Sequence, residues 1–501
     1  MVSLSASVAY HARVAPQRDA LLYDGQRIGY AQLLGRVETV AGMLRARGIG
    51  PGRVVALLMK NSAAFVELSL AISHVGAVLL PINYRLGAEE VGYILHHAGA
   101  ALLFVDEELR DAAGVFDGIV EVDARAQADA TLLARGAVAC HAPHPSQPAD
   151  LFRLMYTSGT TDRPKGVMHS YENYHWKCLD HITALELSSR DRLLVVGPLY
   201  HVGAFDLPGL ALLMAGGMLA VQRDFDAGQA LALIEREKLT GAWMAPVMLQ
   251  RALALGRGRL DLSSLRWLIG GGERTPEERI RQFGSLFPQA RYVDAYGLTE
   301  SCSGDTFMEA GHEIAKIGST GRALAHVQIE VRDDEGGVLP PGAAGEICLR
   351  GPKVTQGYWK DPVKTRESFH GDWFRTGDVG YLDSEGFLFL TDRKKDMIIS
   401  GGENIASSEV ERVLYQLPQV AEAAAIGLPD PTWGERVAAV VVLKAGGLLT
   451  LAQLRAHCEG RLGGFKTPRQ LIVRDALPRN PSGKVLKRVL REELASEGVA
   501  P

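Results

Sequence analysis

The sequence predicts an α/β protein of two parts. The first is a large, multi-subdomain N-terminal domain, with parallel sheets, covering helices and a small β region. The second is a smaller α/β C-terminal domain. Three observations carry this. The 501 residues exceed what one hydrophobic core can serve. Short apolar runs alternate with helical spacing over the first part of the chain, as parallel strands joined by crossover helices do. Beyond residue 326 the pattern changes to short strands separated by turn-forming residues.

Residues 30–47 read as a helix, because Leu33, Val37, Val40, Ala41 and Leu44 share one face. Residues 54–58 form a short apolar strand, 63–74 return to helical spacing, and 101–105 form a buried strand. Residues 141–149, rich in proline and polar side chains, read as a linker. Residues 193–221 come nearest to a membrane span, but Pro198, His201, Asp206 and Pro208 interrupt them, so a buried strand–turn–helix is expected. Residues 328–331 and 346–349 flank turns at 333–337 and 340–342, which predicts a small antiparallel region. A second hairpin joins 380–382 to 387–390 through Ser384-Glu385-Gly386. The charged run 392–396 then divides the chain. Residues 409–415 and 451–462 read as helices and 437–443 as a strand, enough for a compact domain of their own. The domains are therefore placed at 1–394 and 395–501.

Charge and cysteine usage exclude several functions. With 54 basic and 58 acidic residues the net charge is −4, which leaves no electrostatic footprint for nucleic acid or anionic lipid. The five cysteines are scattered and never form a Cys-x-x-Cys pair, so reduced free thiols are expected rather than disulfides or zinc. The N-terminal residues lack a basic region followed by a long apolar stretch, so no export signal is read. A soluble cytoplasmic protein without an integral membrane segment is expected, and its size is compatible with a homodimer.

The most informative local feature is Thr157-Ser158-Gly159-Thr160-Thr161-Asp162-Arg163-Pro164-Lys165-Gly166. It follows an apolar run and so leaves a strand end. Backbone N–H groups in such a loop converge on a polyphosphate, the hydroxyls add donors, and Lys165 adds positive charge. It is not a Walker loop, because Lys165 precedes Gly166 and no Gly-Lys-Ser/Thr follows.

The loop resembles the phosphate loop of the adenylate-forming superfamily, which comprises acyl- and aryl-CoA synthetases, stand-alone adenylation domains and beetle luciferases. Other blocks of that superfamily recur in order. They are Asp294-Ala295-Tyr296-Gly297-Leu298-Thr299-Glu300-Ser301, Trp373-Phe374-Arg375-Thr376-Gly377-Asp378, and Asp392-Arg393-Lys394-Lys395-Asp396. Ser400-Gly401-Gly402-Glu403-Asn404 and Asn480-Pro481-Ser482-Gly483-Lys484 complete the set.

The resemblance implies an ATP-dependent acyl-CoA synthetase. A carboxylic acid and ATP give an acyl-adenylate and pyrophosphate, and the thiol of coenzyme A then gives acyl-CoA and AMP. It also implies a mobile C-terminal domain with its hinge near Lys395. Thr157, Ser158, Gly159, Thr160, Thr161 and Lys165 would hold the triphosphate. Thr299 would meet the α-phosphate and Glu300 would hold Mg²⁺, an ion that favours one or two carboxylates plus phosphate oxygens. Gly271, Gly272, Glu273, Asp294, Tyr296 and Gly297 would surround adenine, with Tyr296 stacking on it. Asp378 and Arg393 would bind the ribose, the alternative being an ion pair with each other.

Lys484 would contact both carboxylate and phosphate, an electrostatic contribution of the oxyanion-hole kind. Gly401 and Gly402 would let pantetheine pass close to the backbone, while Trp433, Phe465 and Arg469 match positions that contact the CoA nucleotide in some relatives. One arginine used by an aryl-CoA relative is Thr467 here.

On the acyl side, His201 matches the histidine preceding the pocket helix. Trp243, Met244, Val247 and Met248 offer an apolar lining, and residues 270–272 a floor without side chains. Asp180 and His181 read as a solvated helix face, the alternative being an approach to the pocket. A medium-chain fatty or an aromatic or cyclic acid, such as a hydroxycinnamate, is expected; a long-chain fatty acid and malonate are the alternatives.

Two positions depart from the family pattern: Asp162 replaces a glycine, and Glu273 stands in a Gly-Glu-Arg sequence near adenine. A stand-alone adenylation enzyme loading a carrier protein is the rival enzyme reading, since Phe205-Asp206 superficially resembles the amine anchor of such enzymes. A non-catalytic nucleotide-binding protein is the third.

Overall fold

A computed structural model describes residues 2–123, 137–157, 163–256, 258–271, 275, 277–394, 396–401, 403–479 and 485–496. By internal contacts the chain forms two compact units, Met1–Ile329 with Leu349–Phe374, and Glu330–Cys348 with Arg375–Pro501. The small β region thus contributes to the same compact unit as the C-terminal residues. Compactness does not bear on where the chain bends, and Lys395 itself lies outside the described residues.

The larger unit is built on two sheets. One has nine strands, of which Arg291–Tyr296, Trp267–Gly270, Gly241–Met244, Arg192–Val195, Met218–Val221 and Asp19–Tyr23 lie side by side and parallel. The other has six strands, parallel but for the pair Leu151–Thr157 and Lys165–Ser170. Parallel strands buried on both faces must be apolar nearly throughout, which is why Val54–Leu58 is buried at every residue.

The helices follow their periodicity. Tyr30–Ala46 buries Leu33, Val37, Val40, Ala41 and Leu44. Ala63–His74 begins where Ser62 accepts from Phe65 N, a side-chain N-cap. Residues 193–221 end differently from expectation: after Arg192–Val195 come an irregular helical segment, Val202–Leu210, the helix Ala211–Ala215 and the strand Met218–Val221. Leu207 and Pro208 depart from helical angles there, because proline lacks the donor that a regular helix needs.

Trp373–Leu382, most of it in the smaller unit, pairs antiparallel with Leu388–Arg393, with Asp378 opposite Arg393. A long hairpin, Val420–Asp430 with Gly434–Leu443, belongs to a second sheet in which Val420–Asp430 is an edge strand, and Ser407–Leu414 and Leu451–Cys458 pack on it through Val410, Val413, Leu414 and Leu454. All five cysteines are free and buried. No helix among the described residues is long and apolar enough to cross a membrane.

Candidate active site

The segment expected to hold phosphate is entered and left by two strands whose register is fixed. Leu151–Thr157 and Lys165–Ser170 run antiparallel, and Thr157 pairs with Lys165. The two ends of the loop therefore meet at one point of the sheet, as a cradle for phosphate requires. Ser158, Gly159, Thr160, Thr161 and Asp162 lie outside the described residues. Lys165 places its ammonium 6.0 Å from the centre of the Tyr358 ring. Partial burial, with Lys364 nearby, lowers its pKa.

The second block leaves the strand Arg291–Tyr296, where Asp294 and Tyr296 are buried. Gly297 is obligatory, since a Cβ there would lie 2.3 Å from Gly304 N. Thr299–Ser301 makes a single tight turn. Cys302, Ser303 and Gly304 then all adopt left-handed backbone, with φ of 57°, 72° and 67°. Such angles at non-glycine residues cost on the order of 1–3 kcal/mol each and persist only where the surroundings enforce them.

Lys353 supplies that enforcement. It is fully buried, 3.1 Å from Asp305 Oδ1 and 3.4 Å from Ser303 O, and it donates to Gly304 O. Burial pushes the Asp305 carboxyl upward, and Lys353 opposes that shift. From the other side, Thr355 N donates to Glu300 O at 2.6 Å. The Tyr358 hydroxyl donates to Glu300 Oε1 at 2.9 Å. Burial and the adjacent Glu300 raise the phenol's pKa, so it remains a donor.

Beneath the turn runs a buried polar chain. His169 Nε2 is 2.6 Å from Thr299 O, and Arg153 reaches His169 Nδ1 with two nitrogens at 3.1 and 2.9 Å. Arg153 also pairs with Asp206 at 2.8 Å, and Lys177 lies 3.3 Å from the same carboxylate. Burial would push the Asp206 carboxyl up, but Arg153 and Lys177 hold it below its ordinary value.

On the expected acyl side, His201 Nδ1 accepts from Gly203 N at 3.0 Å and so caps the irregular segment. A Cβ on Gly203 would lie 2.6 Å from the Trp243 ring, and one on Gly271 would lie 3.2 Å from Ala295 O and 3.9 Å from Trp243 Nε1. Trp243 thus stands against two glycines. Strand alternation sends Met244 into a different core cluster, and Val247 is 44% exposed. Of the expected lining residues, Trp243 is the one beside both glycines. Asp180 and His181 correct the solvated-face reading, for both are buried. Asp180 accepts from His326, and a Cβ at Gly304 would meet His181. Gly272 and Glu273 lie outside the described residues.

In the smaller unit, Arg393 Nε lies 3.2 Å from Asp378 Oδ1, and the two residues are cross-strand partners. Gly401 has φ +62° and donates its N–H to Trp433 O at 2.7 Å, and a Cβ there would lie 2.8 Å from the Trp433 ring. The Arg469 guanidinium sits 5.1 Å from the centre of that ring. Gly401, Trp433 and Arg469, all expected to meet coenzyme A, are therefore neighbours. Lys395, Gly402 and Lys484 lie outside the described residues. Lys487, three positions after Lys484, is held by Glu411 at 2.8 Å and by the Ser407 hydroxyl.

Sequence reasoning missed His169, Arg153, Lys353 and Tyr358. One signal was present: Arg153 interrupts an apolar strand run, and a charge there needs a buried partner. The others are isolated in sequence from the residues they hold.

The AMP-binding enzyme family matches over residues 8–359, and the AMP-binding enzyme C-terminal domain over residues 409–484. The chain belongs to the AMP-binding enzyme family. It is 38% identical over 485 residues to a feruloyl-CoA synthase of an Amycolatopsis species, covering 96% of each chain. It is 37% identical over 501 residues to the long-chain-fatty-acid–CoA ligase FadD13 of Mycobacterium tuberculosis, covering 97% of each. The fold superposes on o-succinylbenzoate CoA synthetase (MenE) from Bacillus subtilis, solved with an acyl-adenylate intermediate. The TM-score is 0.88 at 30% identity, with 97% of each chain covered.

Proposed function

We propose that this AMP-binding enzyme activates an aromatic or cyclic carboxylic acid, with medium-chain fatty acids as the next candidates. The reaction class is that of an acid–thiol ligase. ATP and the acid form an acyl-adenylate with release of pyrophosphate, and coenzyme A takes the acyl group with release of AMP. The observation that supports the aromatic reading is that Trp243, at the expected acyl side, packs on Gly203 and Gly271, and an aromatic wall suits an apolar, ring-bearing ligand.

In this mechanism, Thr157 and Lys165 hold the ends of the phosphate loop around the β- and γ-phosphates. Thr299 orients the α-phosphate, and Asp378 with Arg393 grips the ribose. Lys484 brings positive charge to the carboxylate and α-phosphate together. Glu300 fits a magnesium ligand, being a single carboxylate aimed by a phenol on a rigid turn, and the ion when bound would neutralise phosphate oxygens. Gly401, Gly402 and Trp433 receive the coenzyme, after the C-terminal residues 395–501 swing about Lys395. A cytoplasmic homodimer is the setting we infer. The carrier-protein alternative would use Asp206 as an amine anchor, but Arg153 and Lys177 already occupy that carboxylate.

Pyrophosphate release with ATP, Mg²⁺ and coenzyme A across benzoates, hydroxycinnamates, fatty acids of graded length and malonate tests the proposal. A CoA-dependent preference for a ring-bearing acid is expected; a preference for long-chain acids or malonate would overturn the substrate class. Trp243→Ala is expected to raise kcat/KM for longer acids relative to the aromatic ones by roughly 10–100-fold, the range that pocket volume alone controls. An unchanged ratio would remove Trp243 from the pocket.

Tyr358→Phe deletes one hydroxyl and keeps the ring beside Lys165. The half-saturating Mg²⁺ concentration is expected to rise roughly tenfold, the worth of a hydrogen bond to a charged group. Weaker Mn²⁺ binding to the enzyme–ATP complex, followed by electron paramagnetic resonance, is expected alongside. Unchanged Mn²⁺ affinity would separate Tyr358 from the metal carboxylate.

A further inference from the structure

The three groups that meet at His169 determine where its proton lies. Two nitrogens of Arg153, both bearing hydrogen, point at Nδ1. A guanidinium has no lone pair to offer, so Nδ1 must accept and the proton resides on Nε2. Nε2 faces the carbonyl oxygen of Thr299 at 2.6 Å, so the imidazole donates to it. Burial, then the charge of Arg153, push the pKa of His169 down to about 3. The ring is neutral, with one tautomer, throughout the working range of an enzyme. Arg153 is in turn fixed by Asp206, which Lys177 holds through both carboxylate and main-chain carbonyl. Arg153, His169, Lys177 and Asp206 are each at most 1% exposed, so water does not compete for any of these bonds.

This chain joins two places that the reaction needs in register. Asp206 belongs to the irregular segment Val202–Leu210, which His201 caps, and Thr299 opens the turn that carries Glu300. His169 also shares a strand with Lys165 at the far end of the phosphate loop.

We infer that His169 is a positioning residue for adenylation: its Nε2 proton anchors the Thr299 main chain, and the Asp206–Arg153 pair fixes the tautomer that makes this possible. The inference rests on the reading of Thr299 as the contact to the α-phosphate.

Side-chain geometry supplies the test. The amide nitrogen of glutamine stands close to where Nε2 stands and can donate to Thr299 O, whereas that of asparagine reaches only the position of Nδ1. ATP–pyrophosphate exchange would be measured for Thr299→Val, His169→Gln, His169→Asn and His169→Leu, with kcat and the KM for the acid resolved and thermal melting recorded for each. Thr299→Val is expected to be impaired, and an active Thr299→Val would overturn the reading of Thr299 itself. His169→Asn and His169→Leu are expected to lose ~10–100-fold in kcat, the usual effect of a misplaced catalytic contact, with KM for the acid little changed. His169→Gln is expected to recover most of that loss. Equal activities for His169→Gln and His169→Asn at equal melting temperature, while Thr299→Val is impaired, would refute the anchoring role. Should His169→Leu not fold, the Gln and Asn pair decides alone.

Discussion

Lys353→Met is expected to destabilise the larger unit by about 3–5 kcal/mol, the range found when one partner of a buried pair is removed. Both ends of the Lys353–Asp305 pair are fully buried, 3.1 Å apart. Methionine matches the volume of the lysine stem but leaves the Asp305 carboxylate without its cation. It also frees the Ser303 and Gly304 carbonyls, which hold three successive left-handed residues in place. The melting transition should fall by roughly 4–7 °C, since an unfolding entropy of ~2.1 cal/mol/K per residue makes each kcal/mol worth about 1.3 °C in a unit of this length.

The double variant Lys353→Met with Asp305→Leu separates the causes. Removing both charges is often neutral where removing one is not, so the double variant should recover much of the loss. A melting temperature unchanged in the single variant would show that the turn is held by other contacts. Because Thr299 and Glu300 lie on the same turn, pyrophosphate exchange should fall with stability in the single variant.

Lys484→Ala is expected to reduce adenylation by roughly a hundred- to a thousandfold, as loss of a preorganised donor to developing charge does. Thioester formation from a pre-made acyl-adenylate should survive, because the phosphoryl chemistry is already complete in that substrate. Equal loss of both half-reactions would refute the assignment. Lys487, three residues further on, is tied to Glu411 and Ser407.

Much of this architecture was legible in the chain, for identifiable reasons. Strands such as Val54–Leu58 and helices such as Ala63–His74 announce themselves because burial on a parallel sheet leaves few residue types available. The Thr157–Gly166 segment and the Tyr296–Glu300 block are each contiguous, so their residue patterns can be read from sequence alone. The residues that hold those blocks are not contiguous with them. Lys353 lies far along the chain from Asp305, and Arg153 far from Asp206; nothing local distinguishes a buried lysine from a solvated one. Asp180 and His181 were misread for the same reason, since their helix packs polar residues inward where His326 and Gly304 meet them. Helical spacing reports a face, and which face is wet depends on the neighbours.

The pairing of Trp433 with Gly401 also equips the protein with a reporter. Six tryptophans are present, and Trp433 is the exposed one, at 43%. A solvent-borne quencher such as iodide therefore meets chiefly this indole. A ligand that covers it lowers the quenchable fraction of the emission, over the smaller contributions of the half-buried Trp176 and Trp359. Occupancy of the face expected to meet the coenzyme can thus be followed optically, without label or substitution.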